Sequence, residues 1–126
     1  MELRELVSGE IETIAVEAKA IDAAIQMQRA GVGSLAVMAK DDFSGIFTER
    51  DVLRLVASGE DAASETVGEW MTMYPDSFLP DMEVSEAAEW MLAAGYRHLP
   101  VMDEGRLLGM VSIKDILWAL SGDAVG

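Results

Sequence analysis

The sequence predicts a mixed α/β (α+β) fold made of two copies of one strand-and-helix unit. Residues 45–53 read GIFTERDVL, and 64 positions later residues 109–117 read GMVSIKDIL. Each stretch gives a glycine, two apolar residues, a hydroxyl residue, a variable residue, a base, an acid and two apolar residues. The apolar start is typical of a buried strand, and a hydroxyl followed by an acid is typical of a helix N-terminus. Two copies are too few for a solenoid, so the doubled unit predicts a closed pair of related halves.

The offset of 64 residues holds along nearly the whole chain without a gap. Identical pairs outside the two stretches include Ala23 and Ala87, Ala24 and Ala88, Met27 and Met91, Gly31 and Gly95, and Leu35 and Leu99. The repeat predicts a first copy at residues 1–60, a linker at 61–66, a second copy at 67–121 and a tail at 122–126. Neither copy can cover both faces of so small a sheet, so we expect one compact module with a pseudo-twofold axis. The two motif stretches would then face a shared cleft.

Hydrophobic periodicity predicts the elements of the first copy. They are a short leading helix at residues 2–7, a strand at 11–16, a helix at 20–30, strands at 34–39 and 45–47, and a helix at 49–57. Residues 11–16 alternate apolar with polar or small residues, as a half-buried strand does. The helix at 20–30 carries an apolar stripe and is followed by Gly31, which suits a left-handed cap. The run at 34–39 is nearly all apolar, as in a strand covered on both faces.

The second copy repeats this order. Its predicted elements are a leading helix at residues 67–71, a turn at 74–76, a strand at 77–79, a helix at 84–94, strands at 98–102 and 107–111, and a helix at 113–120. Each copy is therefore a β-α-β-β-α unit with a short leading helix. The last two strands of a copy should pair antiparallel across a short turn, and the strand–helix–strand portion should be a right-handed parallel crossover.

Composition excludes several classes of function. The chain has 126 residues, a net charge of −14 and no cysteine. An acidic surface repels phosphate backbones, so we expect no nucleic-acid polymer as a partner. The lack of cysteine excludes disulfides and thiolate metal sites, fits a cytoplasmic location, and with a single histidine argues against a bound transition metal. No apolar run reaches membrane-spanning length and the N-terminus lacks a signal-peptide pattern, so we expect no membrane association.

The motif has a purely structural interpretation. Thr48 with Asp51, and Ser112 with Asp115, fit the capping box, in which an N-cap hydroxyl and an acid three residues later satisfy helix amides. Each box stabilises a helix by about 1 kcal/mol and needs no ligand. It explains the hydroxyl and the acid but not the base between them.

A ligand site explains all three residue types. A helix N-terminus at the carboxyl end of a strand presents free N–H groups to anions, and an aspartate there can accept hydrogen bonds from ribose hydroxyls. Arg50, Lys114, Arg97 and His98 could bind phosphate groups.

The residues also allow two other interpretations. A Ser-His-Asp set can be drawn from Ser34 or Ser112 with His98, but no Gly-x-Ser-x-Gly elbow is present, so we expect no enzyme. The rival to a ligand site is a ligand-free dimerisation or protein-interaction module in which the motifs are only helix caps. Trp70, Trp90 and Trp118 would then be candidate interface anchors.

The doubled motif resembles the tandem CBS (cystathionine-β-synthase) domain pair, or Bateman module. The segment GYRHLPV at residues 95–101 also resembles the helix end and second strand of that family. The resemblance covers about residues 3–120. It implies a stand-alone sensory module for signal transduction that binds AMP, ADP or ATP, less often NAD or S-adenosylmethionine, in the cleft between repeats. It implies no prosthetic group, a disc-like homodimer, and a separate regulated protein that receives the signal.

The resemblance also implies which residues contact the ligand. The ribose contacts are Asp51 with Thr48 and Asp115 with Ser112. The phosphate contacts are Arg97, His98, Lys114 and Arg50. The adenine slot is lined by Ile14, Leu35, Ala36 and Val37 in the first copy and by Phe78, Leu99, Pro100 and Val101 in the second. The first copy has Gly33 and Ser34 in place of Arg97 and His98, so its site is expected either to be weaker or to serve the ligand of the other copy.

Overall fold

The computed structural model describes residues 1–7 and 10–121, and the tail predicted at 122–126 lies outside the described residues. The chain forms two compact units. The first-copy unit is Ile11–Pro75, and the second-copy unit joins the described parts of Met1–Glu10 and Asp76–Gly126. The start of the chain therefore packs with the second copy, and the start of the second copy packs with the first.

The first-copy unit is a four-stranded sheet with helices. Its elements are β1 (Thr13–Ala15), α1 (Ala20–Ala30), β2 (Ser34–Ala39), β3 (Asp42–Thr48), α2 (Glu49–Ala57), α3 (Val67–Trp70) and β4 (Thr72–Met73). The strand order is β1-β2-β3-β4, with β1 parallel to β2 and the other pairs antiparallel. Leu35, Phe47, Leu55 and Val67 are fully buried in its core.

The second-copy unit is built on a two-stranded hairpin. It contains a 3₁₀ helix (Leu3–Glu5), α4 (Val84–Ala94), β5 (His98–Asp103), β6 (Arg106–Ser112) and α5 (Ile113–Leu120). β5 and β6 pair antiparallel, and the turn residues Glu104 and Gly105 have φ of 48° and 80°, as in a type I′ hairpin. Leu3, Met91, Leu99 and Ile116 are fully buried in its core.

The four long helices begin and end where the periodicity predicted. Gly31 and Gly95 cap α1 and α4 in the left-handed conformation, with φ of 71° and 78°. β3, β5 and β6 extend beyond their predicted limits because each hairpin turn is only two residues long. The leading helix predicted at 2–7 is a single 3₁₀ turn.

The prediction of a strand at residues 77–79 is wrong. Phe78 makes only an isolated parallel bridge with Val101, donating to the carbonyl of Pro100 and accepting from the amide of Met102. Pro80 has no amide hydrogen, so it cannot donate to a longer ladder. The strand that does form in this region, β4, was missed because it pairs with β3 of the first-copy unit.

Each leading segment makes the same contacts in the opposite copy's unit. The amide of Leu3 donates to the carbonyl of Met82 (2.9 Å), and that of Arg4 to Pro80 (3.0 Å). In the first-copy unit the amide of Val67 donates to Ala18 (2.8 Å) and that of Gly68 to Val16 (2.9 Å). These residues are related by the offset of 64, so the exchange of leading segments obeys the repeat.

Candidate ligand site

The first-copy motif forms a buried capping box where β3 ends and α2 begins. The amide of Glu49 donates to the carbonyl of Gly33 (3.0 Å), which fixes the start of α2 beside β2. Asp51 is 5% exposed, and its Oδ2 accepts from the amide of Thr48 (2.8 Å) and from the Thr48 hydroxyl (3.2 Å). The hydroxyl and the acid thus perform the structural role that their spacing predicts.

Arg54 occupies the other oxygen of Asp51. Its Nη2 donates to Oδ1 of Asp51 (2.8 Å) and to the carbonyl of Trp70 (3.1 Å), so both hydrogens of that nitrogen are used. The guanidinium carbon lies 5.5 Å from the centroid of the Trp70 ring, within range of a cation–π interaction. The indole of Trp70 in turn donates to Glu65 (2.9 Å). This role of Arg54 was not predicted, although its spacing of three residues from Asp51 on a helix is the available signal.

The second-copy motif has the same backbone but an open carboxylate. The amide of Ile113 donates to the carbonyl of Arg97 (2.9 Å), as Glu49 does to Gly33. The capping box is present, with Ser112 amide to Asp115 Oδ2 at 3.3 Å and Asp115 amide to Ser112 hydroxyl at 3.1 Å. Asp115 is exposed. The residue at the position equivalent to Arg54 is Trp118, which is uncharged and cannot form an ion pair with Asp115.

The topology brings the polar site residues of the second copy together at the open end of the β5–β6 hairpin. His98 lies opposite Ser112 in the β5–β6 register, and Arg97 precedes it. Arg97 and Lys114 are exposed, and His98 is half-buried. The open end of the β2–β3 hairpin in the first copy has less positive charge. Ser34 is buried there opposite Thr48, and Arg50 is the exposed base.

The residues predicted to line an adenine slot divide into two groups. Six fill the cores of the two units: Ile14, Leu35, Val37, Phe78, Leu99 and Val101. Ala36 and Pro100 are also buried, but side chains alternate along a strand, so these two lie on the face opposite the cores. The lining role remains a prediction. Ala36 and Pro100 could contact a ligand without removing a side chain from the core of either unit.

An aromatic cluster in the second-copy unit was not predicted. The ring of Tyr96 stacks on Trp90 with centroids 5.9 Å apart, and Trp90 meets Phe78 edge to face at 6.0 Å. The hydroxyl of Tyr96 donates to Asp76 (2.7 Å), and this hydrogen bond raises the pKa of Tyr96 above its usual value. In the first copy, the residue equivalent to Trp90 is Gln26, which bonds Glu12 (3.1 Å), the equivalent of Asp76. Different chemistry therefore ties the same two segments in each unit.

Two negative findings concern residues 1–7 and 10–121. In that part of the chain, no three histidine, aspartate or glutamate side chains are grouped so that they could hold a metal ion. Within the same residues, no helix combines the length and the apolar character needed to cross a membrane.

Fold and motif together define a paired-repeat α/β protein with one strand-to-helix motif in each repeat. The CBS domain family matches the chain twice, at residues 3–58 and 67–122. The chain therefore belongs to the CBS domain family, as a tandem pair of CBS repeats.

Known relatives agree with this assignment. An uncharacterised protein of Methanopyrus kandleri is 37% identical over 78% of the chain. The chain spans 52% of that relative's length, and 14% and 60% of the lengths of two other curated relatives, from Schizosaccharomyces pombe and Acidianus ambivalens. A solved protein with CBS domains from Burkholderia ambifaria is 30% identical, with a TM-score of 0.91 and coverage of 98% of this chain and 96% of that one. A CBS domain protein of Pyrobaculum aerophilum, solved in complex with AMP, is 27% identical, with a TM-score of 0.83 and coverage of 96% and 98%.

Proposed function

We propose that this protein is a non-catalytic regulatory module that binds an adenine nucleotide of the AMP, ADP or ATP class at the second-copy motif. In this proposal the bound state is relayed to a separate partner protein in the cytoplasm. The observation that carries the proposal is the exposed carboxylate of Asp115 at the N-terminus of α5. The AMP complex of the Pyrobaculum relative supports the choice of ligand class.

The chemistry of the second-copy edge suits a ribose with a phosphate. Asp115 is exposed and accepts from the amide of Ser112 at Oδ2, so Oδ1 can accept from a ribose hydroxyl. Lys114 directly precedes Asp115 in the chain, and Arg97 precedes His98, which lies opposite Ser112 in the β5–β6 register. Both bases are exposed, so they can contact an anionic group. The sequence predicts an equivalent role for Asp51, Thr48 and Arg50 in the first copy, but there the carboxylate of Asp51 is buried and paired with Arg54.

The test measures thermal stability with and without millimolar AMP, ATP, NAD and S-adenosylmethionine. A ligand present at a hundred times its dissociation constant stabilises the folded protein by about 2.7 kcal/mol. We expect at least one adenosine compound to raise the melting temperature and expect Asp115→Ala to abolish the rise. Glu89→Ala, which removes another exposed carboxylate of the same unit, should leave the rise intact.

Two results would contradict this proposal in different ways. A rise that persists in Asp115→Ala would place the ligand elsewhere. No rise with any of the four compounds would favour the interaction module in which the motifs are only caps.

We also propose that the module forms a homodimer through the outer faces of its last helices. In α5, Ile116 is fully buried, but Leu117, Trp118 and Leu120 are 55%, 56% and 49% exposed. In α2, Leu53 and Val56 are 67% and 60% exposed. Large apolar side chains grouped on an outer helix face are typical of protein contacts, and the repeat gives the chain two such faces. A second copy of the chain presents matching apolar faces, which is why we choose it as the occupant.

A further inference from the structure

We propose that Arg54 closes the first-copy motif from within and so limits the protein to one nucleotide per chain. This inference rests on the proposed function of the second-copy motif. It concerns the first-copy motif, which has nearly the same residue pattern as the second-copy motif. The aspartate of the first-copy motif is paired with Arg54 of the same unit.

Most of the hydrogen-bonding capacity of Asp51 is already used within the protein. An ionised carboxylate can accept about four hydrogen bonds. Asp51 accepts two at Oδ2 from Thr48 and one at Oδ1 from Arg54. With 5% of its surface exposed, the carboxylate has neither the free oxygen nor the access that a pair of ribose hydroxyls requires.

Arg54 is held in place by more than Asp51. The same nitrogen donates to the carbonyl of Trp70, and the guanidinium lies against the Trp70 ring. Trp70 is itself fixed by its hydrogen bond to Glu65. Any ligand must therefore displace a cation that is anchored to α3 as well as to the carboxylate. Arg54 is on the same helix as Asp51, so it competes with a ligand for this carboxylate as an intramolecular partner, at a fixed effective concentration.

The second copy shows the motif without this partner. The residue equivalent to Arg54 is Trp118, which is 56% exposed, and Asp115 is open. The backbone at the start of the two helices makes the same contact. The first amide of α2 donates to the carbonyl of Gly33, just before β2, and the first amide of α5 donates to that of Arg97, just before β5. The closed motif therefore has Arg54 held by Trp70, and the open motif has the exposed Trp118 at the equivalent position.

The experiment counts nucleotides bound per chain by isothermal titration calorimetry with AMP. We expect one site in the wild-type protein, two in Arg54→Met, and one again in Arg54→Met combined with Asp51→Asn. The dissociation constant of the original site should change by less than about twofold, since the two copies have separate motifs. Arg29→Met removes an exposed cation of the same unit and should keep one site.

Arg54→Gln provides a second variant in case Arg54→Met does not fold, since an amide can still donate to Asp51, though more weakly than a cation. If either variant folds, as judged by circular dichroism, and still binds one nucleotide, the closure by Arg54 is wrong. Two sites in the wild-type protein would also overturn it.

The outcomes separate this inference from the proposed function. If the wild type binds nothing but Arg54→Met binds one nucleotide that Asp51→Asn removes, the closure stands and the site at Asp115 falls. If no variant binds AMP, ATP, NAD or S-adenosylmethionine, both proposals are rejected.

Discussion

Gly45 and Gly109 open the two motif stretches, and the structure gives each a packing reason. A β-carbon at Gly45 would collide with the carbonyl oxygen of Thr72 in β4. A β-carbon at Gly109 would lie 2.8 Å from the β-carbon of Val7. Both obstacles belong to the leading segment of the opposite copy. The glycine of the motif is therefore required by the exchange of leading segments and not by a ligand.

A substitution at Gly45 tests this account. Gly45→Ala should lower the free energy of unfolding by about 1–3 kcal/mol, the usual cost of overpacking, because the obstacle is backbone and cannot rotate away. Urea denaturation followed by circular dichroism measures the change. Ser44→Ala, at the neighbouring bulge position, should change it by less than about 0.5 kcal/mol. Equal values for the two variants would show that β4 moves aside without cost.

At the scale of the element, α2 and α5 start with the same capping box and differ in what surrounds it. In α2 the carboxylate of Asp51 is buried and paired with Arg54, and in α5 that of Asp115 is exposed. A buried carboxylate with three partners contributes to stability, because its removal leaves those donors unsatisfied. An exposed cap contributes mainly its helix-capping energy.

The two motif aspartates should therefore differ in stability as well as in binding. We expect Asp51→Ala to cost about 2–3 kcal/mol of unfolding free energy, from the lost cap and the unpaired donors. Asp115→Ala should cost about 1 kcal/mol or less. Urea denaturation of both variants without ligand measures the difference. A larger loss for Asp115→Ala than for Asp51→Ala would contradict the structural role that we give to the first-copy motif.

At the scale of the whole molecule, the exchange of leading segments decides which residues stabilise which unit. Leu3 is fully buried in the core of the second-copy unit, and its equivalent Val67 is fully buried in the first-copy unit. Each is far in sequence from most of its core. Each compact unit therefore combines most of one sequence copy with the leading segment of the other copy.

A matched pair of core substitutions tests the exchange by native-state hydrogen exchange. Leu3→Ala should cost about 2–4 kcal/mol and remove protection from α4, β5, β6 and α5 first. Val67→Ala should cost about 1–3 kcal/mol and remove protection from β1, β2, β3 and α2 first. Loss of protection in the opposite unit in either case would contradict the assignment of the leading segments.

The proposed homodimer is tested by mass. Light scattering after size exclusion should give twice the chain mass of 13.6 kDa for the wild type. Trp118→Glu places a charge in the apolar face of α5 and should weaken association at least tenfold, because burying an unpaired carboxylate costs about 2 kcal/mol or more. Tyr74→Glu changes an aromatic residue that is 87% exposed elsewhere and should leave the dimer intact. A wild-type mass of 13.6 kDa at high concentration would exclude the dimer.

The sequence by itself determined the repeat, the four long helices and the paired strand-to-helix motifs. Helix periodicity, the left-handed caps at Gly31 and Gly95 and the capping boxes are local signals, set within a few residues of where they act. The antiparallel pairing of the last two strands was also predicted, and in the structure it places His98 opposite Ser112. The local signals also led to the family assignment that the CBS matches confirmed.

Only the tertiary structure decided which unit each leading segment joins and which aspartate is closed. β4 and the 3₁₀ helix are two and three residues long, too short for periodicity to identify. Their positions depend on backbone hydrogen bonds to residues far along the chain. Asp51 and Asp115 have nearly the same sequence around them. The burial of Asp51 depends on Arg54 and Trp70, which meet only because α3 packs into the first-copy unit, and a pairing between distant segments leaves no signal in local sequence.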